Sequence, residues 1–264
     1  MPLAPFETTV DGLVLRGTLR TPTGTGPFPT AVLCHGFGGS RGDGGRFLVD
    51  VARALADRGV ATLAYDRAGH GESDGEFFGT HVTQDVAHAL RVLDAVAALD
   101  VVDADDLHLA GISLGAVVAS CTAAATALPV RSLTMWSTAA VFVDDIRSGQ
   151  IQGMSLDTLD TLGYFDFHGQ RMGRAMVDDA LTFDPYARAA AYRGPALLMH
   201  GTADFVPVRY AQGYLDVLAP GTELEVVEGA DHGWSTVPHR ELVASRTAGF
   251  VESHVRPAAG AAAG

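Results

Sequence analysis

The stretch LHLAGISLGAVVASCTAAA, residues 107–125, decides how the rest of the chain is read. Leu107–Ile112 is a short, almost unbroken apolar run, the pattern of a strand buried on both faces. Leu114–Ala125 is a run of small helix formers. Between them lies Gly111-Ile112-Ser113-Leu114-Gly115, a G-x-S-x-G at a strand-to-helix junction. A strand that turns into a helix within one residue must hold that residue, Ser113, in a strained backbone with its hydroxyl exposed. The two glycines leave room where a side chain would strike the neighbouring strand or helix. The helix start also leaves free N–H groups beside the hydroxyl.

Outward from this junction, strand and helix signals alternate. Phe6–Val10 and Leu13–Leu19 form a strand pair around the Asp11-Gly12 turn, and Thr21–Pro29 reads as a loop. Thr30–Cys34 is a buried strand, Arg46–Arg58 a helix stopped by Gly59, and Val60–Tyr65 a strand. Val82–Ala98 is a long amphipathic helix, and Val130–Trp136 is a strand. The alternation resumes with strand Ala196–His200, helix Arg209–Leu218, strand Glu223–Val227 and helix Arg240–Val251. Such order predicts an α/β fold with a mostly parallel sheet and helices on both faces. The 48 residues from 137 to 184 break the rhythm and exceed an ordinary loop. They are read as a helical cap, with short helical patterns such as Gln170–Ala180, inserted over the sheet's C-terminal edge. The core is then 1–136 with 185–253, and 254–264 is a low-complexity tail expected to be flexible.

Composition narrows the chemistry. The chain has 264 residues, 47% hydrophobic and 19% charged, enough to bury a core. Its formal charge is −13, which argues against a nucleic-acid partner, since neutralising phosphates needs clustered cations. Every cation is Arg, so there is no lysine for a Schiff base, a PLP anchor or a P-loop. Cys34 and Cys121 lie in apolar runs and read as buried free thiols. The N-terminus carries no secretion signal, and no apolar run is long enough to cross a membrane. The expected location is therefore cytoplasmic, with no membrane partner; a homodimer is left open.

A serine hydroxyl needs a base at neutral pH. The chain has ten histidines. His232, in EGADHGW (228–234), follows the last strand and so reaches the same sheet edge as Ser113. Asp204, in HGTAD (200–204), follows the penultimate strand and can fix the His232 tautomer. Asp231 is the competitor, but a residue adjacent to the histidine reaches round to its Nδ1 with difficulty. HGFGG (35–39) follows the first parallel strand. It can turn the backbone N–H of Phe37 toward a developing oxyanion, alongside that of Leu114. His70, with Asp66 and Asp74, offers metal-ligating types but sits in a tight turn; no metal is expected. His81 and His88 are spaced i, i+7 without a metalloprotease pattern, and the scattered glycines make no dinucleotide fingerprint.

At HGFGGS (35–40), YDRAGHGESDG (65–75), GISLGAVVAS (111–120), HGTAD with the Val-Pro that follows (200–207) and EGADHGW (228–234), the chain resembles the α/β-hydrolase superfamily. The order Ser113, Asp204, His232 is that of this fold. Within it, the chain is similar to small bacterial cinnamoyl/feruloyl esterases and related carboxylesterases. The resemblance implies a nucleophile at Ser113, an acid at Asp204, a base at His232 and an oxyanion hole at Phe37 and Leu114. It also implies cap contacts to a phenolic acid from Asp145 and Gln152, and from Tyr164. Ile112 departs from the His or Phe often found before the nucleophile, and 163–176 has no clear counterpart. The expected activity is hydrolysis of small-to-medium carboxylic esters, hydroxycinnamates among them, without a cofactor. The alternatives are a thioesterase or peptidase-type hydrolase using the same residues, and a non-catalytic ligand-binding member of the fold.

Overall fold

The computed structural model describes residues 1–257, so the part of the expected tail from 258 to 264 lies outside the described residues. The strands and helices of the first half are β1 (Leu3–Val10), β2 (Leu13–Arg20), β3 (Phe28–Cys34), α1 (Phe47–Asp57), β4 (Ala61–Tyr65), α2 (Val82–Ala97), β5 (Val102–Ile112), α3 (Leu114–Ala125) and β6 (Val130–Trp136). After the insertion come β11 (Ala196–Gly201), α8 (Arg209–Leu215), β12 (Glu223–Val227) and α9 (Val237–Ser253). Eight strands form one sheet in the order β1-β2-β4-β3-β5-β6-β11-β12. Only the β1–β2 and β2–β4 pairings are antiparallel. The other five are parallel.

The pleat divides the apolar residues between two faces. Ala31 and Leu33 of β3 pack with α1 and α9, whereas Val32 and Cys34 join the side covered by α2 and α3. Continuous apolar strands are what a sheet covered on both faces requires. Among the described residues no helix is long and apolar enough to cross a membrane.

Between β6 and β11 the chain leaves the sheet and forms α4 (Phe142–Arg147), the hairpin β7–β8 (Gln150–Ile151, Met154–Ser155), α5 (Thr158–Leu162), the hairpin β9–β10 (Phe165–Phe167, Gln170–Met172), α6 (Arg174–Thr182) and α7 (Pro185–Ala189). The two hairpins are an addition to the helical pattern read from the sequence. The helix expected from Gln170 starts at Arg174 instead. Gly173 is extended, its N–H bonds to the carbonyl of Phe78 (3.0 Å), and a side chain there would collide with that carbonyl. Residues after α9 are tied down: the Arg256 N–H bonds to Asp106 (2.8 Å), and its guanidinium meets Asp103 (3.0 Å) and Asp105 (3.2 Å).

Candidate active site

The loops that follow β3, β5, β11 and β12 meet at one edge of the sheet. Ser113 sits at the junction of β5 and α3 with φ 58° and ψ −124°, a region that costs a non-glycine residue about 1–3 kcal/mol. Its backbone is over-determined by neighbours. The N–H bonds to the carbonyl of Trp136 (2.9 Å), and the carbonyl accepts from Ala116 (3.1 Å) and Ala139 (3.2 Å). A side chain at Gly111 would collide with the carbonyl of Gly115, and one at Gly115 with the carbonyls of Cys34 and His35. The elbow therefore needs both glycines for close backbone approach.

Asp204 and His232 are brought together by lacing their loops. The Thr202 and Ala203 N–H groups bond to the carbonyls of Val227 (2.9 Å) and Ala230 (3.0 Å), and the Gly229 N–H bonds to the Thr202 hydroxyl (2.8 Å). The result is a continuous line. His232 Nδ1 lies 2.7 Å from Asp204 Oδ1, and His232 Nε2 lies 2.9 Å from Ser113 Oγ. Read with a neutral ring, Nδ1–H donates to the carboxylate and Nε2 accepts from the serine hydroxyl; this tautomer is assigned from the network. Burial alone would raise the Asp204 carboxyl. The hydrogen bond and charge of His232, the Val206 N–H (2.8 Å) and nearby His200 together hold it below its usual range. Asp231 is occupied elsewhere: its carboxylate accepts the Ser235 N–H (2.8 Å) in the turn leading to α9.

The peptide after Gly36 borders the serine, since a Cβ on Gly36 would lie 3.8 Å from Ser113 Oγ. Among the described residues the Phe37 and Leu114 N–H groups have no hydrogen-bond acceptor, which leaves them available to a ligand. The Phe37 ring is held between Phe77 (centroids 4.9 Å) and Phe167 (4.7 Å). The cap reaches this loop directly, as the Gln170 side-chain amide donates to the Gly38 carbonyl (3.0 Å).

Two concave spaces meet at Ser113. One is a cleft of about 420 Å³ bordered by Phe37, Phe167, Gln170, Phe205 and His232. The other is a slot of about 40 Å³ whose lining includes apolar Leu114, Val141, Phe142, Ile151, Met176 and Phe205 and polar Asp145 and Gln152. Asp145 is half-buried and already accepts the Gln152 backbone N–H (3.0 Å). Neighbouring Asp144 accepts the Tyr210 hydroxyl (2.8 Å). Tyr164 is not brought to the site. It lies in the bend just before β9, half-buried, whereas Phe165 and Phe167 of the strand are buried, and its ring carries the Arg171 guanidinium 4.9 Å from its centroid. Phe205, whose ring lies 4.2 Å from that of His232, and Gln170 carried no signal in the sequence. No group of three or more His, Cys, Asp or Glu is arranged to hold a metal among the described residues; His70 is buried, with Nδ1 on the Ala68 carbonyl (2.9 Å).

This edge geometry can be set beside known proteins. Residues 31–246 match the family model described as "Alpha/beta hydrolase family". The chain belongs to the alpha/beta hydrolase family. Est1E from Butyrivibrio proteoclasticus, in its structure with ferulic acid bound, superposes on this hydrolase with a TM-score of 0.85. The two share 27% identity over 94% of this chain and 98% of Est1E. The alpha/beta hydrolase GrgF from Penicillium sp. sh18 gives a TM-score of 0.77 at 20% identity, over 97% and 99% of the two chains, a likeness of fold alone. An uncharacterised 31.7 kDa protein of Escherichia coli is 33% identical over 105 residues, 40% of this chain. That match spans 35% of the relative's length.

Proposed function

We propose that this hydrolase is a serine carboxylesterase, with Ser113 as nucleophile, His232 as base, Asp204 as its partner, and the Phe37 and Leu114 N–H groups as the oxyanion hole. The observation that carries the reading is the Ser113–His232–Asp204 line, with bonds of 2.9 and 2.7 Å, opening onto two spaces that can take the two arms of an ester. His232 Nε2 takes the Ser113 proton as Oγ attacks the carbonyl carbon. The tetrahedral oxyanion rests on the two N–H groups. His232 then passes its proton to the leaving alcohol, and water repeats the sequence to free the acid.

The slot decides which acyl groups suit. At about 40 Å³ it takes a short acyl chain as it stands. A hydroxycinnamoyl ring enters once Phe142, Met176 or Phe205 swings aside, and its phenol then meets the Asp145 carboxylate. The likeness to Est1E with ferulic acid bound supports including such esters in the substrate range. Buried, unpaired Cys34 and Cys121 suit a reducing cytoplasm.

Labelling with a fluorophosphonate probe tests the chemistry: wild type reacts and Ser113→Ala does not. Equal labelling of the two proteins removes the assignment. A panel of p-nitrophenyl esters, methyl ferulate and acyl-CoA then ranks the leaving groups, with short-chain esters turned over fastest. Asp145→Ala raises KM for methyl ferulate but leaves p-nitrophenyl acetate alone; an equal change in both rejects phenol recognition by Asp145.

A further inference from the structure

The Gly36–Phe37 peptide is held from its carbonyl end by an unusual set of donors. The Gly36 oxygen accepts from Arg67 Nη2 (2.8 Å), His35 Nδ1 (2.8 Å) and the Gly39 N–H (3.2 Å). The histidine's role is fixed by its other nitrogen: Nε2 accepts the Arg67 backbone N–H (3.0 Å), so Nδ1 carries the proton. Burial and the neighbouring Arg67 charge hold His35 well below its ordinary pKa, so the ring stays neutral. Arg67 is itself 1% exposed and ion-paired with the equally buried Asp85.

A buried guanidinium is costly to desolvate, and neutralising Asp85 does not require it to touch the backbone. Arg67 nevertheless spends its second nitrogen on the one carbonyl whose peptide partner is the Phe37 N–H. A peptide whose oxygen accepts three hydrogen bonds, one charge-assisted, is more polarised, and its N–H becomes a stronger donor. We infer that Arg67 is a positioning residue that orients and polarises the Gly36–Phe37 peptide for the oxyanion. The inference rests on the serine-esterase reading above. The YDRAGHGESDG motif, whose glycines and His70 form a turn, thereby serves the reaction through its arginine.

The test uses two variants of the full chain. Arg67→Lys keeps a cation for Asp85 but loses the fork that reaches Gly36. The pair Arg67→Met with Asp85→Leu removes both charges at similar volume, a replacement that buried ion pairs commonly tolerate. Active sites are counted by fluorophosphonate titration, so misfolded protein does not enter the rates. In both variants kcat/KM for p-nitrophenyl acetate is expected to fall about 10- to 100-fold, the scale for losing a supporting contact behind a reacting group. A boronic acid that forms the tetrahedral serine adduct weakens by the same factor. Inhibition by 1-butanol, which has no carbonyl or carboxylate oxygen to place on the two N–H groups, stays within about twofold of wild type. The Phe37 amide proton moves upfield in the NMR spectrum. If both variants keep the wild-type rate and the wild-type ratio of boronate to 1-butanol affinity, Arg67 serves only the fold and the inference falls while the esterase reading stands. If wild type neither labels nor hydrolyses any ester, the esterase reading falls first and takes this inference with it.

Discussion

Replacing Asp204 by Asn separates two effects that are usually lost together. In a hydrogen-bonded Ser-His-Asp line the carboxylate both selects the imidazole tautomer and stabilises the imidazolium that forms when the serine gives up its proton. Here Asp204 Oδ1 accepts two donors, the Val206 N–H at 2.8 Å and His232 Nδ1 at 2.7 Å. An asparagine must put its amide oxygen at that position, because its NH₂ group there would face the Val206 N–H. The tautomer of His232 therefore survives, and what disappears is the negative charge. With about 4 Å between charge centres and an effective dielectric constant of about 20, that charge stabilises the imidazolium by about 4 kcal/mol. A loss of that size lowers kcat about 1,000-fold. The assay is pre-steady-state release of p-nitrophenol from p-nitrophenyl acetate, with the imidazole ¹⁵N shifts of His232 recorded in parallel. The expected result is a burst about 1,000-fold slower, with the proton still on Nδ1. A burst within tenfold of wild type refutes the electrostatic argument, and a proton found on Nε2 refutes the role given to Val206.

Three further outcomes follow from packing and burial. Gly115→Ala drives a methyl group into the Cys34 and His35 carbonyls. It costs about 1–3 kcal/mol by overpacking and depresses kcat more than KM, because the peptide it pushes leads into the Phe37 turn; an unchanged thermal midpoint and kcat would contradict the close approach. Gly249→Ala, in helix α9 with open space around it, instead stabilises by about 0.5–1 kcal/mol without touching turnover, read from urea unfolding. Acid should unfold the protein through His35 and His70. Burial, then the Arg67 charge, holds both below the ordinary value of 6.5, His70 at about 3. The unfolded chain therefore binds more protons below pH 6.5, and stability is lost as pH falls. Between pH 7 and pH 5 His70 alone accounts for about 2 kcal/mol of that loss, and His35 adds to it in the same direction. Urea midpoints across that range measure it, and His70→Asn should reduce the loss between pH 7 and pH 5 by about 2 kcal/mol; an unaltered slope in the variant would assign the loss to other groups.

The sheet edge was legible because each of its loops is announced by an apolar strand and a glycine with a geometric duty. Gly111 and Gly115 flank the elbow, and Gly201 stands where any side chain would collide with the carbonyl of Ala230. Those approaches are local requirements, and local requirements leave marks in sequence. The cap leaves few. Its hairpins have strands of two and three residues, too short for an alternating pattern to register. Tyr164 was implied at the site only by the family resemblance, in a stretch (163–176) with no clear counterpart in that family, so nothing local fixed which way its ring would face. Gln170 and Arg67 show a different limit. Each acts on a backbone carbonyl far away in the chain, Gly38 in one case and Gly36 in the other, and a carbonyl has no letter of its own. Reading such contacts requires knowing which peptide group is left without a partner and which is over-supplied. On that reckoning the 36–38 turn is the most heavily held backbone at the site. A cap residue grips it from above, and a buried guanidinium grips it from below. A cap movement that lets a bulky acyl group past Phe142 must therefore either keep the Gln170 bond or disturb the same turn that offers the Phe37 N–H, which couples acyl size to rate as well as to binding.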